Sequence, residues 1–381
     1  MSSETAAAAE DLEEIREELR AVARAVLAKA GAAGPDRRAL SAHGWSGLEV
    51  AEDLGGAGVT FAETAVVLEE LGRAAAASGY LGTVLGVAAL TASTGPRRDE
   101  LLAAVAAGES SVAVALCGAD AEYTTRFRLR PSGAGWILSG RAEFVPDAAT
   151  ADRLLVIAAD PSDTPVVVCV APATGLAAVP APVVAPSTGV AVTAASAVEP
   201  TAGLVVTATP VVDESRTLGT VVAGDLSVTG DDLLWFSGDP LAAARGLHDR
   251  AALAVACDSL GVAEAMLTAT VEYAKVREQF GRPIGSFQAV KHACADMFVQ
   301  ATVARKLVGV ALDGDGTAVA MAKSYTGTAA VEVAGAAMQL HGGIGYTWES
   351  GIHRYLKRAT LNRVLFGTPT AHRRRLSQRY R

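Results

Sequence analysis

Val276-Arg277-Glu278-Gln279-Phe280-Gly281-Arg282-Pro283-Ile284-Gly285-Ser286-Phe287-Gln288 is the stretch on which the reading of this chain turns. An apolar-striped helical segment runs into it and another runs out. Between them stand two arginines, two phenylalanines, two amide side chains and two glycines. That composition predicts a tight helix-to-helix corner carrying positive charge, flat aromatic surface and hydrogen-bond donors. Those are the needs of a nucleotide diphosphate: charge for the pyrophosphate, a face for the base, amides to orient both.

Upstream of the corner, Asp239-Pro240 reads as an N-cap followed by proline at the first helical position. Leu253, Cys257, Leu260, Ala263 and Leu267 then mark one apolar face. Downstream, helices are expected from Ser286 and from near Thr317, giving four or five helices in the last third. A bundle is the economical way to bury them. At the other end, Leu12, Ile15, Leu19, Val22, Val26 and Ala30 place a helix over 10–30. Leu54–Gly58 is a loop, and Thr60 with Glu63 is a capping box opening a second helix. A further helix is expected over 97–107. From Val112 helical periodicity stops, and valine, threonine, glycine and proline take over. Val112–Leu116, Trp136–Leu138, Leu154–Ala158 and Val166–Val170 read as strands. The expected class is α+β, with an N-terminal helical domain (1–111), a central β-barrel or sandwich domain (112–235) and a C-terminal helical bundle (236–381).

A hydrophobic content of 50% against 19% charged residues describes a globular chain, and a net charge of −8 argues against nucleic-acid binding. Cys117, Cys169, Cys257 and Cys294 form no CxxC pair, so buried reduced thiols are expected and neither a disulfide nor a metal site. The start of the chain lacks the pattern of a secretory signal. Thr164–Val198 is free of charge but broken by five prolines, so no span is expected there and a cytoplasmic location follows.

Four pieces of this chain resemble the acyl-CoA dehydrogenase family. They are Leu48–Gly58; Arg277-x-x-Phe280-Gly281-x-x-Ile284-x-x-x-Gln288; Gln339-Leu-His-Gly-Gly-Ile-Gly-Tyr346; and Arg354-x-x-x-Arg358 followed by Val364-Leu-Phe-Gly-Thr368. The likeness runs over nearly the whole chain and is weakest in the β-domain. It implies FAD, an acyl-CoA thioester substrate, an electron-transfer acceptor protein, and subunits paired so that one chain holds the ADP half of its neighbour's FAD. Carried over, Arg277, Gln279, Phe280 and Gln288 look like ADP and pyrophosphate contacts. Gln339, Gly342 and Gly343 look like the second set, with Thr368 beside the C-terminal segment. The plainer reading makes Arg277 a helix-terminal cation and Phe280 a core aromatic.

The departures from the family pattern carry as much weight. The family's base is a glutamate directly before Gly-Thr, where this chain has Phe366. The second location used in the family falls on Ala251. Neither side chain accepts a proton, so no catalytic residue is assigned. Asp249 and Glu264 are charged but out of register, and Asp249 reads as a solvated helix residue. Glu349, after the second motif, is an alternative base, although an ion pair with Arg354 or Lys357 is the simpler expectation. The family's flavin loop corresponds to Leu116–Thr125, which lacks its Pro and Ser-Asp. Its aromatic-Ile-Thr/Ser triplet corresponds to Phe144-Val145-Pro146, where proline has no N–H to offer. The pattern suggests a subunit without a base, completed by a related chain of a hetero-oligomer. A bulky steroid-side-chain thioester is the substrate by analogy. The alternatives are a self-sufficient flavoenzyme with an atypical base and a non-enzymatic acyl-CoA-binding relative.

Overall fold

The computed structural model describes residues 3–172 and 203–378. Much of the uncharged, proline-rich stretch therefore lies outside the described residues. The order of elements is α1 (Ser3–Ala30), α2 (Arg37–Ala42), α3 (Phe61–Ala74), α4 (Tyr80–Thr91), β1 (Ser93–Thr94), α5 (Arg98–Ala106), β2 (Val112–Val114), β3 (Phe127–Ser132), β4 (Gly135–Pro146), β5 (Arg153–Ala159), β6 (Pro165–Val170), β7 (Gly203–Thr209), β8 (Leu218–Val228) and β9 (Leu233–Phe236). Then come α6 (Pro240–Val276), α7 (Gln288–Leu312), α8 (Gly316–Leu340), α9 (Ile352–Val364) and α10 (Pro369–Gln378). Helices, then sheet, then helices is the order expected.

The local signals work as physics requires. Thr60 accepts from Ala62 N–H while Glu63 reaches back to Thr60 N–H, 3.0 Å away. Asp239 caps α6 through the amides of Leu241 and Ala242. The sheet runs β1-β9-β6-β5-β3-β4-β8-β7 with β2 added beside β5, and only the β2–β5 and β3–β5 pairings are parallel. Strand β5 is apolar on both sides for a reason. Leu154, Val156 and Ala158 fill the interior of the sheet, while Leu155 and Ile157 join the core shared with the helices. All four cysteines are free.

Helix α1 forms where expected, and only part of its apolar stripe turns inward: Leu19 and Val26 pack against the core beside the buried Ala23 and Leu27. Leu12, Ile15 and Val22 are about half exposed. The side turned toward α3 carries Arg16, Arg20 and Arg24, which pair with Glu63, Glu69 and Glu70. Those three glutamates are buried. Buried carboxylates need cations, and this need outweighs the burial of a few aliphatic side chains. Arg73 and Arg305 continue the network from the other side to Glu70, Glu69 and Glu264.

The long helix α6 lies at the centre, packed against α3, α7, α8 and α9. It is the one helix among the described residues long and apolar enough to cross a bilayer, and 78% of its most apolar window is buried. Near its middle Asp258 accepts from the Nε and Nη2 of Arg358 at 2.9 and 2.6 Å and from Asn362 Nδ2 at 2.6 Å, while Arg216 stands 3.0 Å away. Arg358 also donates to the Ala76 carbonyl at the end of α3 and to Ser215 Oγ. One cluster thus ties both helical regions to the entry of β8. Burial alone would raise the Asp258 carboxyl, but Arg216 and Arg358 hold it at about 2. That is below the ordinary value of about 3.9, so the stabilisation is complete above pH ~4 and is lost as pH falls toward 2. Asp258→Ala leaves two buried guanidiniums uncompensated. It is expected to cost about 3–5 kcal/mol and to flatten the loss of stability between those pH values, both read from urea unfolding midpoints.

Candidate functional site

The corner after α6 is a miniature hairpin. Glu278 and Gln279 pair with Pro283 and Arg282, leaving Phe280-Gly281 as a two-residue loop. Both loop residues have positive φ, 54° and 75°. That is the signature of a type I′ turn, for which glycine at the second position is natural and phenylalanine at the first is strained by roughly 1 kcal/mol. The strained residue is also the most displayed one: Phe280 is 92% exposed, so it is not a core aromatic. Its ring meets Phe287 edge-on, and the Arg282 guanidinium lies 4.2 Å over the Phe287 ring. Arg277 is the exposed C-cap of α6, and Gln288 opens α7 with its side chain exposed. The corner is held close to α6 because Gly285 packs there; a Cβ would stand 2.9 Å from the Ala274 carbonyl.

The second motif sits at the same end of the bundle. Tyr273, one turn before Arg277, stacks on His341 with ring centroids 4.2 Å apart and donates to the His341 carbonyl. His341 Nδ1–H donates back to Ala337 O, so this histidine is a structural one. Beyond it Gln339, Gly342 and Gly343 are exposed, with open space around both glycines, and Gly342 has φ 61°. Gln339 already accepts from Tyr346 and Gln279 bonds its own neighbour's carbonyl. The structure therefore brings Arg277, Gln279, Phe280, Gln288, Gln339, Gly342 and Gly343 to one open, cationic and aromatic end.

Thr368 is not part of this group. It precedes α10, and its hydroxyl accepts from Ala371 N–H. The neighbouring Gly367 carbonyl is bonded by Lys323 of α8, which stands 18 residues before His341 on the same helix run. At 1.5 Å per residue that separation is about 27 Å.

At this distant end lie the positions where a base was sought. Phe366 is fully buried with φ 52°. Its N–H donates to Gly118 O at 2.7 Å, and its carbonyl accepts from His372 Nε2–H at 2.8 Å. Its ring meets the His248 imidazole edge-on at 5.7 Å. Ala251, one turn beyond His248 on α6, is fully buried in the same core. Asp249 is not a solvated helix residue: Arg375 grips both its oxygens, at 2.5 and 2.9 Å. Glu264 is taken by Arg73 and Arg305. Glu349 is exposed beside the second motif, and neither expected partner pairs with it. Lys357 pairs with Glu214, and Arg354 donates to the carbonyls of Ala32 and Ala75.

In the stretches matched to the flavin loop, two backbone N–H groups are spent inside the protein. Gly118 N–H donates to Glu143 O, and Asp147 N–H to Thr217 O. Val145, Pro146 and Asp147 are buried, and the Asp147 carboxylate accepts from Gly82 N–H and Thr217 Oγ.

Sequence reasoning missed Lys323, His248 and His372, which surround the Phe366 segment. Lys323 is fully buried and donates to the carbonyls of Asn362 and Gly367 at 2.9 Å each, with no carboxylate partner. Burial pushes its ammonium down to about 7 and pushes His372 down to about 4. A lysine lowered in the folded state holds fewer protons than in the unfolded one, so its contribution makes stability rise with pH above about 7. Between pH 7 and 8.5 Lys323→Met is expected to remove that rise relative to the unmodified chain. Paired chemical-unfolding midpoints check it.

A family model described as acyl-CoA dehydrogenase, N-terminal domain, matches residues 9–109, and one described as acyl-CoA dehydrogenase, C-terminal domain, matches residues 241–380. Acyl-CoA dehydrogenase IpdE2 of Mycolicibacterium smegmatis is 33% identical over 339 residues, which is 87% of this chain and 83% of that protein. A chain in the structure of the ChsE4-ChsE5 complex from Mycobacterium tuberculosis superposes with a TM-score of 0.77 at 25% identity, covering 96% of each chain. A chain of a Tcur3481-Tcur3483 steroid ACAD variant gives 0.78 at 28% identity, covering 96% of this chain and 98% of that one.

Proposed function

The chain belongs to the acyl-CoA dehydrogenase family, and from that premise we propose that it is the subunit of a heteromeric, FAD-dependent acyl-CoA dehydrogenase that clamps the ADP half of the cofactor and supplies no base. One contrast carries this reading: the nucleotide motifs stand open at one end of the bundle, while both positions for a base are buried apolar side chains at the other. The likeness to a chain of a two-component complex, and to a steroid ACAD, supports a related partner and a bulky thioester.

FAD supplies the hydride acceptor in this chemistry. The chain's own residues do the holding. Among the described residues neither Arg277 nor Arg282 pairs with a carboxylate, and both are exposed, so their charge is free for a pyrophosphate. Phe280, fixed in its turn, offers a flat face without first having to be ordered. Gly342 and Gly343 leave room for a phosphate or ribose to approach the backbone. Proton removal is left to the partner, because Asp249 and Glu264 are held by arginines and Phe366 has no lone pair. The pair has one reactive centre in place of two and works in the cytoplasm.

Co-expression with a related chain that keeps its glutamate is expected to give a yellow complex that oxidises acyl-CoA, whereas this chain purified alone is colourless and inactive. Full activity of the isolated chain would exclude the assignment. In the complex, Arg277→Ala and Phe280→Ala are each expected to weaken FAD retention about tenfold or more without altering thermal unfolding of the chain alone, read as visible flavin absorbance per protein after gel filtration.

A further inference from the structure

We propose that Phe366 is a plug: its ring fills the place where the acyl end of a thioester is seated in catalytic relatives, so that this chain binds no acyl-CoA of its own. The inference rests on the family reading of where the substrate enters, and it holds whether or not a partner is bound.

Three observations carry it. The first is the direction of the side chain. A left-handed φ of 52° is unfavourable for phenylalanine, yet the backbone is fastened on both sides. The Phe366 N–H is tied to Gly118 O, its carbonyl to His372 and the next carbonyl to Lys323. Gly118 cannot give way, since even a Cβ there would lie 2.4 Å from the Phe144 carbonyl. The ring is therefore held inward, against His248, and turning it out requires breaking several buried hydrogen bonds.

The second is the chemistry of the walls. His248 donates through Nε2–H to Asp120 O, and His372 donates through Nε2–H to Phe366 O. Each ring then has an acceptor, Nδ1, that is buried without a partner. Two orphaned acceptors around one phenyl ring are unusual, because buried polar atoms are normally satisfied. One of the two imidazoles, His248, stands against the ring and the other, His372, against its backbone carbonyl, so the phenyl group sits among polar atoms to which it offers nothing in return.

The third is where open space remains. A polar recess of about 270 Å³ is lined by Glu122, Tyr123, Arg245, Asp249 and Arg375. Asp249 borders it, whereas His248, Ala251 and Phe366 do not; all three are at least 98% buried. Tyr123 stands between, with its ring against the core that holds Phe366 and its hydroxyl unpartnered. The recess reaches the turn of α6 next to the ring and goes no deeper.

Titration calorimetry of the full-length chain with octanoyl-CoA tests the proposal. The unmodified chain is expected to give no saturable heat. Phe366→Ala, which removes the ring and keeps the fold's polar ties, is expected to bind one octanoyl-CoA per chain, at least tenfold tighter than the unmodified chain. Phe366→Leu, a gentler truncation, serves if the alanine variant does not fold. Saturable binding of one thioester by the unmodified chain overturns the proposal, even if neither variant folds. Folded variants that bind nothing overturn it too. The nucleotide-clamp assignment is read separately, from the flavin content of the complex, so either reading can fail while the other stands.

Discussion

Asp258 is a carboxylate placed where water does not reach, and the rest of the molecule is arranged so that it can stay charged. Its partners come from far apart: Arg358 and Asn362 from α9, Arg216 from the entry to β8, with the Ala76 carbonyl at the end of α3 sharing Arg358. Removing any one of them leaves the others unpaired in a low-dielectric interior, which is why the cluster behaves as one unit. Its geometric consequence is that α9 cannot shift along α6. The Leu365–Thr368 segment begins where α9 ends, so its position is inherited from the same cluster. Lys323 completes the restraint by binding the last turn of α9 and the Gly367 carbonyl together. A salt bridge in the middle of the bundle thus sets the angle at which Phe366 enters the core.

What could be read from the sequence is what is local. The I′ turn at Phe280-Gly281, the cap at Asp239 and the box at Thr60–Glu63 are each decided within a few residues, so their chemistry is visible in the chain itself. The two nucleotide motifs were legible as motifs, but their meeting depends on Tyr273 stacking on His341, a contact across 68 residues. Asp258 and Arg358 are 100 positions apart, and although Arg358 stands in one of the four family-like pieces, nothing in either segment names the other as its partner. Lys323 lies within an alanine-rich stripe where a lysine would be expected to reach solvent. The face of α1 was illegible for a related reason: its aliphatic stripe is regular, yet the burial of Glu63, Glu69 and Glu70 on α3 decides which side turns inward. Thr368 stands beside Phe366 and apart from the two motifs, a separation set by the length of α8 that sequence order does not display.

The distribution of exposure separates two kinds of work. Groups that bind a ligand from outside can stand on the surface, and at one end of the bundle the large side chains of Phe280, Tyr346 and Ile344 are well exposed. Groups that move a proton have to be enclosed and also have to be free, since a base engaged by arginine has lost the lone pair it would use. Among the described carboxylates near Phe366, Asp249 is enclosed but engaged. Glu122 is free of so close a partner, its nearest cation being Arg375 at 4.0 Å, but it stands in the open. On the proposed reading the chain meets the first requirement and leaves the second to a partner.

The conformation of Phe366 bears on how that division arose. A residue whose only task is to fill space is better served by an ordinary backbone, and a phenyl ring gains nothing from a left-handed one. A carboxylate that must point at a substrate does gain, because the strained turn fixes its direction before the substrate arrives. Here the turn persists with Gly118, His372 and Lys323 still holding it, while the side chain it aims is inert. The supports are structural as well as functional, since they close the ends of α9 and α10. They therefore remain useful after the group they aim is lost. An apolar ring at this position needs no counter-charge, which a buried carboxylate would.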